Sequence, residues 1–282
     1  MGAAMASTIR RAGLPVTVWN RNLETAERLA SAIDARVAAT AAEAASSSDI
    51  VITSLADDAA VKSVYLGPGG VVEGIRQGSI AVETSTVDPE TVAEVGSAVD
   101  AVGAGFLDSP VSGSVSTVEA GTLTIMVGGD AELLERAEGV LDILAARVVH
   151  VGGRGAGAAT KLAVNGLVHG LNVALSEAVV LAERAGVDRS VAYKVFASGA
   201  GGAPFVHYKR DAYEHPEDAA VAFSLDLVAK DLRLITGLGE RVGAPMRQAA
   251  TGLDIVQDAI DNGFGERDLS AIAVYLRGDD HR

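Results

Sequence analysis

Apolar positions in the first half of the chain come in short β-branched runs separated by stretches with helical spacing. Pro15–Trp19 (PVTVW), Asp49–Leu55 (DIVITSL) and Ser79–Glu83 (SIAVE) read as strands, followed by Gly105–Asp108, Thr122–Val127 and Val148–Val151. Between them the pattern predicts helices over Leu23–Ala35, Ala60–Tyr65, Asp88–Val102 and near Ala131–Ala145, with Pro89 suited to a first turn. Strands alternating with helices of this length imply a parallel, doubly wound sheet, the last short strands adding a partly mixed edge.

After Gly152-Gly153-Arg154-Gly155 the strand pattern stops. Gly157–Ala185 reads as one helix, roughly 40 Å long at 1.5 Å per residue. Gly186 ends it, and Asp188 is placed to cap a helix running to about Ala197. Ser198–Pro204 is a loop, and Leu225–Arg241, Pro245–Asn262 and Asp268–Leu276 are further helices. The division predicted is an α/β domain over 1–153 and an all-helical domain over 154–282.

Within the long helix, 161–176 reads KLAVNGLVHGLNVALS. Its polar side chains, Lys161, Asn165, His169, Asn172 and Ser176, fall within an arc of roughly 80° at helical spacing. Apolar residues elsewhere around such a helix predict burial. A lysine and an asparagine one turn apart on that stripe point at something specific, because a desolvated ammonium is costly without a partner or a task. The bland alternative is the single wet face of a helix at a domain edge. Leu162–Ala182 is long enough to raise the question of a membrane span, but its polar members favour a soluble buried helix and no membrane partner. Its apolar bulk is hard to bury within 154–282 alone, which predicts a homodimer or homotetramer.

An apolar fraction of 49% supports a sizeable core. Lys+Arg 23 against Asp+Glu 37 leaves a net charge of −14, which argues against a nucleic-acid partner while allowing one local basic pocket. Cysteine is absent, so disulfides and thiolate metal sites are excluded, and a reducing, cytoplasmic location is expected. The N-terminus lacks the basic and apolar regions of a signal peptide. His150, His169, His207, His215 and His281 lack metal-ligand spacing, so no metal is expected.

The chain opens MGAAMASTIRRAG, helical from its first residues, with a strand after it. A dinucleotide-binding fold should instead open on a strand and a Gly-rich turn that brings a pyrophosphate to the helix N-terminus. Met1-Gly2 read as the end of that turn, with Gly2 as its third glycine. The expectation is a start codon placed too far downstream; the alternative is a protein that has lost part of a cofactor site. Past the next strand, Asn20-Arg21-Asn22 replaces the acidic residue that binds an adenosine 2′-hydroxyl. Arginine suits a 2′-phosphate through charge-assisted hydrogen bonds, which favours NADP(H) over NAD(H).

Two segments, Phe106–Ser114 (FLDSPVSGS) and Gly155–Asn165 (GAGAATKLAVN), now carry a specific resemblance. Gly121–Asp130, Lys230-Asp231-Leu232 and Gly263–Ala271 support it, in the right order around the right domain break. With these motifs the chain resembles the β-hydroxyacid dehydrogenases, a family that includes 3-hydroxyisobutyrate dehydrogenase and tartronate semialdehyde reductase and is related to 6-phosphogluconate dehydrogenase. The resemblance spans Met1 to Leu276. It implies a Rossmann-like N-terminal domain, here with its first strand truncated, followed by an all-α substrate and dimerisation domain.

The resemblance also implies roles. Lys161 matches the general acid/base, which must move a proton on or off the substrate oxygen as hydride moves at carbon. Asn165, Ser112 and Gly113 match substrate-binding positions, the last two in a loop whose hydroxyl and N–H groups can hold a carboxylate. Leu55, Thr86 and Lys230 match cofactor contacts, alongside Gly2, Asn20 and Arg21. The activity implied is NADP(H)-dependent interconversion of a small β-hydroxyacid and its semialdehyde or oxoacid. Imine reductases share the architecture but tend to carry another residue at the Lys161 position, and a non-catalytic, dimer-forming relic is the remaining alternative. Ser114 departs from a second glycine usual in the family and is expected to reshape the carboxylate loop; Ala56 stands where proline is frequent.

Overall fold

The computed structural model of the chain describes residues 1–278, so His281 lies outside the described residues. Its residues cluster into two compact units, Met1–Lys161 and a second beginning at Leu162.

The first unit opens on α1 (Gly2–Arg11) and runs through β1 (Thr17–Val18), α2 (Leu23–Ile33), β2 (Arg36–Val37) and α3 (Ala41–Ser46). Next come β3 (Ile50–Thr53), α4 (Asp58–Leu66), α5 (Val71–Gly74), β4 (Ile80–Glu83) and α6 (Pro89–Ala101). The unit continues with β5 (Gly105–Asp108), β6 (Val111–Ser112), α7 (Val115–Glu119), β7 (Leu123–Gly128), α8 (Ala131–Leu144) and β8 (Ala145–Gly152). Then α9 (Ala156–Arg184) begins, and the division between the units falls within it.

β3, β4 and β5 pair in parallel, and β7 joins antiparallel to β5 and β6 but parallel to β8, so the mixed edge is present. The pairs Asp108–Gly128, Val111–Ile125 and Ser112–Thr124 share one register. β5 and β6 are therefore one strand bent at Ser109-Pro110, where proline has no N–H to give the ladder. Strand alternation separates two cores. Ile80, Val82 and Leu107 face a cluster with Met5, Leu123, Ile125 and Leu141, while Ala81 and Phe106 face Tyr65, Val92, Val95 and Val99 on the other side.

The sheet is in two pieces. β1 and β2 pair in parallel with each other, and β3 lies at the edge of the larger sheet. Among the described residues no strand pairs with the remaining edge of β1 or of β3. Helix α1 serves both pieces, with Ala6 packed against Val18, Ala26 and Ala30, and Ala4 and Met5 in the core beneath Ile80.

The second unit takes the rest of α9, then α10 (Arg189–Ser198), α11 (Pro204–Tyr208), α12 (Arg210–Glu214), α13 (Leu225–Val242) and α14 (Arg247–Ala259). The helix expected to reach Asn262 gives way after Ala259 to a wider turn over Ile260–Phe264, because Gly263 takes φ 90°. A 3-10 turn, Leu269–Ala271, leads into α15 (Ile272–Arg277). Leu162, Val179, Tyr193, Tyr213, Leu225, Leu232 and Ile272 belong to one core.

Helix α9 buries the polar stripe that was expected to point at something specific, and leaves part of its apolar bulk exposed. Its polar members Asn165, His169, Asn172 and Ser176 are buried, whereas Leu167 is 76% and Leu181 72% exposed. The polar stripe faces inward because it has partners there. Asn172 Nδ2 donates to the Leu269 carbonyl (3.0 Å), and Tyr213 OH donates to Asn172 Oδ1 (2.8 Å) and approaches Ser176 Oγ (3.1 Å). By length and mean hydropathy of 1.4 the helix could cross a membrane, but these buried polar bonds are those of a helix packed within the unit.

Candidate active site

In the first unit, the N-terminus of α9 is seated on β5. Asp108 Oδ1 accepts from the Gly155 N–H (3.0 Å) and Oδ2 from the Ala158 N–H (2.9 Å), satisfying donors that a helix start leaves unmatched. The approach is so close that a Cβ on Gly157 would collide with the Asp108 carbonyl. Asp108 is buried, which pushes its carboxyl above the ordinary range despite these N–H donors. Lys161 is half-buried and lies one turn beyond Ala158 on the same helix.

The strand that supplies this cap also leads into the loop at Ser112-Gly113. Ser112 ends β6, and Gly113 takes φ 146°, with Thr117 and Leu123 filling the space a side chain would need. Glycine is required there. Ser114 is at φ −116°, which any residue adopts, so glycine is not required there, and the Ser114 hydroxyl lies 2.8 Å from Ser116 Oγ. Its N–H donates to Thr117 Oγ1, which donates in turn to the Ser114 carbonyl, both at 2.7 Å.

Gly2, Leu55 and Thr86 gather at the C-terminal edge of the parallel strands. A Cβ on Gly2 would sit 3.5 Å from Ser54 Cβ, and the Leu55 N–H donates to Ser85 Oγ (2.7 Å), beside Thr86. Glu83 sets Ser85 in place: Oε1 accepts from the Ser85 N–H (2.7 Å) and Oε2 from Thr53 Oγ1 (2.6 Å). Burial pushes the Glu83 carboxyl up. Helix α1 has no side-chain cap and no acidic residue in its first turn, so its N–H groups stay available to an anion. These residues fit a dinucleotide: an uncapped helix start, with the strand ends close by, offers unmatched N–H groups to an anion. Asn20 and Arg21 are exposed in the turn after β1, where Asn20 Oδ1 accepts from the Asn22 N–H (2.8 Å).

In the second unit, Asn165 and Lys230 meet on one carboxylate. Asp231 Oδ2 accepts from Asn165 Nδ2 (2.5 Å) and lies 3.3 Å from His169 Nε2, and Oδ1 is 2.9 Å from Lys230 Nζ. Burial pushes Asp231 up, but the His169 hydrogen bond and the Lys230 charge outweigh it and hold the carboxyl below its ordinary range.

The roles of Asp108, Asp231 and His169 escaped the sequence reading. For Asp231 a signal existed: it is three residues past Val228 and four before Ile235, both buried on α13. A carboxylate at a core-facing helical position must have partners.

Residues 1–152 match the NAD binding domain of 6-phosphogluconate dehydrogenase, and residues 155–276 the NAD-binding domain of NADP-dependent 3-hydroxyisobutyrate dehydrogenase. The chain is 33% identical over 274 residues to 2-(hydroxymethyl)glutarate dehydrogenase of Eubacterium barkeri, covering 96% of this chain and 90% of that one. It is 34% identical over 272 residues to glyoxylate/succinic semialdehyde reductase 1 of Arabidopsis thaliana, covering 96% and 93%. The Mycobacterium tuberculosis 3-hydroxyisobutyrate dehydrogenase, solved with L-serine, superposes with a TM-score of 0.86 at 31% identity, over 98% of this chain and 96% of that one. An uncapped helix start at the strand ends, a lysine one turn into a capped helix, and this similarity over both units lead to one conclusion: the chain belongs to the β-hydroxyacid dehydrogenase family of NAD(P)-dependent oxidoreductases.

Proposed function

We propose that the chain is an NADP(H)-dependent oxidoreductase that interconverts a small β-hydroxyacid and its semialdehyde or oxoacid, with Lys161 as general acid/base. The seat of Lys161 carries this reading: one unbroken helix, capped by Asp108, bears Lys161 one turn after the cap and Asn165 one turn further on. A bound nicotinamide would supply or accept hydride at the substrate carbon; in the reduction the Lys161 ammonium would donate a proton to the substrate oxygen. In the oxidation, the neutral amine takes the hydroxyl proton.

Ser112 Oγ and the Gly113 N–H hold the substrate carboxylate, and Asn165 binds beside the reacting oxygen. Gly2, Leu55, Thr86 and Lys230 contact the dinucleotide, and Asn20 with Arg21 takes the 2′-phosphate. On this reading 1–153 is the dinucleotide-binding domain, 154–282 the substrate and dimerisation domain, and the working form a cytoplasmic homodimer or homotetramer.

The names of the relatives bring a substrate class: small carboxylates carrying a hydroxyl or an aldehyde. The test is a panel of 2-(hydroxymethyl)glutarate, glyoxylate, succinic semialdehyde and L-serine, assayed with both cofactors. Turnover of at least one, and loss of turnover for its analogue without the carboxylate, is expected. Equal rates for the uncharged analogue would remove Ser112-Gly113 from substrate binding. Arg21→Ala should weaken NADPH far more than NADH; equal losses would show that Arg21 does not read the phosphate.

A further inference from the structure

Asp231 is 0% exposed; its Oδ2 accepts from Asn165 and faces His169 Nε2, and its Oδ1 is ion-paired with Lys230. An ionised carboxylate accepts hydrogen bonds and gives none. The chemistry therefore fixes the orientation of the Asn165 amide: its NH2 turns toward Asp231, across 2.5 Å, and its carbonyl oxygen turns away. The same logic fixes His169. Its Nε2 must carry the proton that faces Asp231, while Nδ1 is buried without a hydrogen-bond partner among the described residues. Removing the charge would free the amide to flip, since the two faces of an asparagine differ little in shape.

We infer that Asp231 is a positioning residue that locks Asn165 with its carbonyl outward, so that residue 165 recognises a hydrogen-bond donor, the substrate's hydroxyl, one turn along α9 from Lys161. An asparagine free to flip would meet the hydroxyacid and the carbonyl compound equally. A locked one favours the state with an O–H to give. The effect of Asp231 is thus exerted through Asn165 and not by contact with the substrate.

This inference rests on the proposed role of Lys161, and its test separates the two. Wild type, Lys161→Ala, Asn165→Ala, Asp231→Asn and the Asn165→Ala/Asp231→Asn double variant are compared for kcat and KM on the fastest substrate of the panel above. Asn165→Ala and Asp231→Asn should each lower kcat/KM by about tenfold or more, and the double variant should fall no further than the worse single one, because both act through one hydrogen bond. Losses that multiply, or an Asp231→Asn enzyme as active as wild type, would overturn the inference even if Lys161→Ala is dead.

A second measurement needs neither turnover nor a folded Asp231 variant. In wild-type NMR spectra the side-chain amide missing from Asn165→Ala should show one downfield, slowly exchanging proton. An Asn165 amide exchanging like a solvated one would overturn the inference. Should Lys161→Ala retain turnover while that proton is slow, the acid/base reading fails and the lock on Asn165 stands.

Discussion

Glu83, Asp108, Asp231 and Asp268 are buried carboxylates, and each holds a piece of backbone or a neighbouring side chain in place. Asp268 is the plainest case for stability. It takes both oxygens to Lys209 Nζ at 2.8 Å and also accepts from the Ala222 and Ser270 N–H groups. Burial pushes its carboxyl up, yet Lys209 outweighs that and leaves it below the ordinary range. A carboxyl whose folded pKa is depressed adds stability above its unfolded value, about 3.9, and loses it as pH falls through the folded value. Asp268→Asn should therefore cost about 3–5 kcal/mol near pH 7, as breaking a buried pair does. The deficit relative to wild type should shrink as pH drops below about 4. Denaturant melts across that range check it, and a deficit unchanged with pH would show that Asp268 works by packing alone. At this scale Lys161 and Asn165 stand out in the sequence as candidates, because their oddity is local to one helix. Asp108 and Asp231 were not, since their partners lie 47 and 66 residues away and no short-range pattern records them.

Among the elements, the long ones followed from periodicity: the 29-residue α9, the 18-residue α13 and the four-residue β3 and β4 lie close to their expected spans. β2, β6 and the five-residue helices α7, α11 and α12 went unread, because two to five residues do not complete enough of a period to show one. The polar stripe of α9 was expected to point at something specific, and it is the buried face. Hydrophobicity predicts which side chains avoid water but not which neighbour removes them from it. Here the polar stripe found hydrogen-bond partners within the unit, leaving Ala163, Leu167, Ala174 and Leu181 exposed at spacings of four and seven. A stripe at that period suits another helix. On the proposed self-association, Leu167→Glu should shift the protein toward monomer in light scattering while leaving its helical circular dichroism intact. An unchanged mass would place the subunit contact elsewhere.

For the whole molecule, the order of elements announced the α/β unit and the helical unit, and the motifs around Ser112 and Lys161 announced the family. The division of the sheet between β1 and β3 shows in strand pairing rather than in the spacing of apolar residues. The net charge of −14 makes any anion site a local construction. Within the first unit that construction is an uncapped α1 start beside Leu55 and Ser85. The central claim, that Lys161 moves the proton, is tested most directly by Lys161→Ala, assayed for turnover and titrated with NADPH in the same preparation. Turnover should fall by about 10²–10⁴-fold or more, with the NADPH dissociation constant and the melting temperature close to wild type. A Lys161→Ala enzyme that turns over at the wild-type rate would contradict the account.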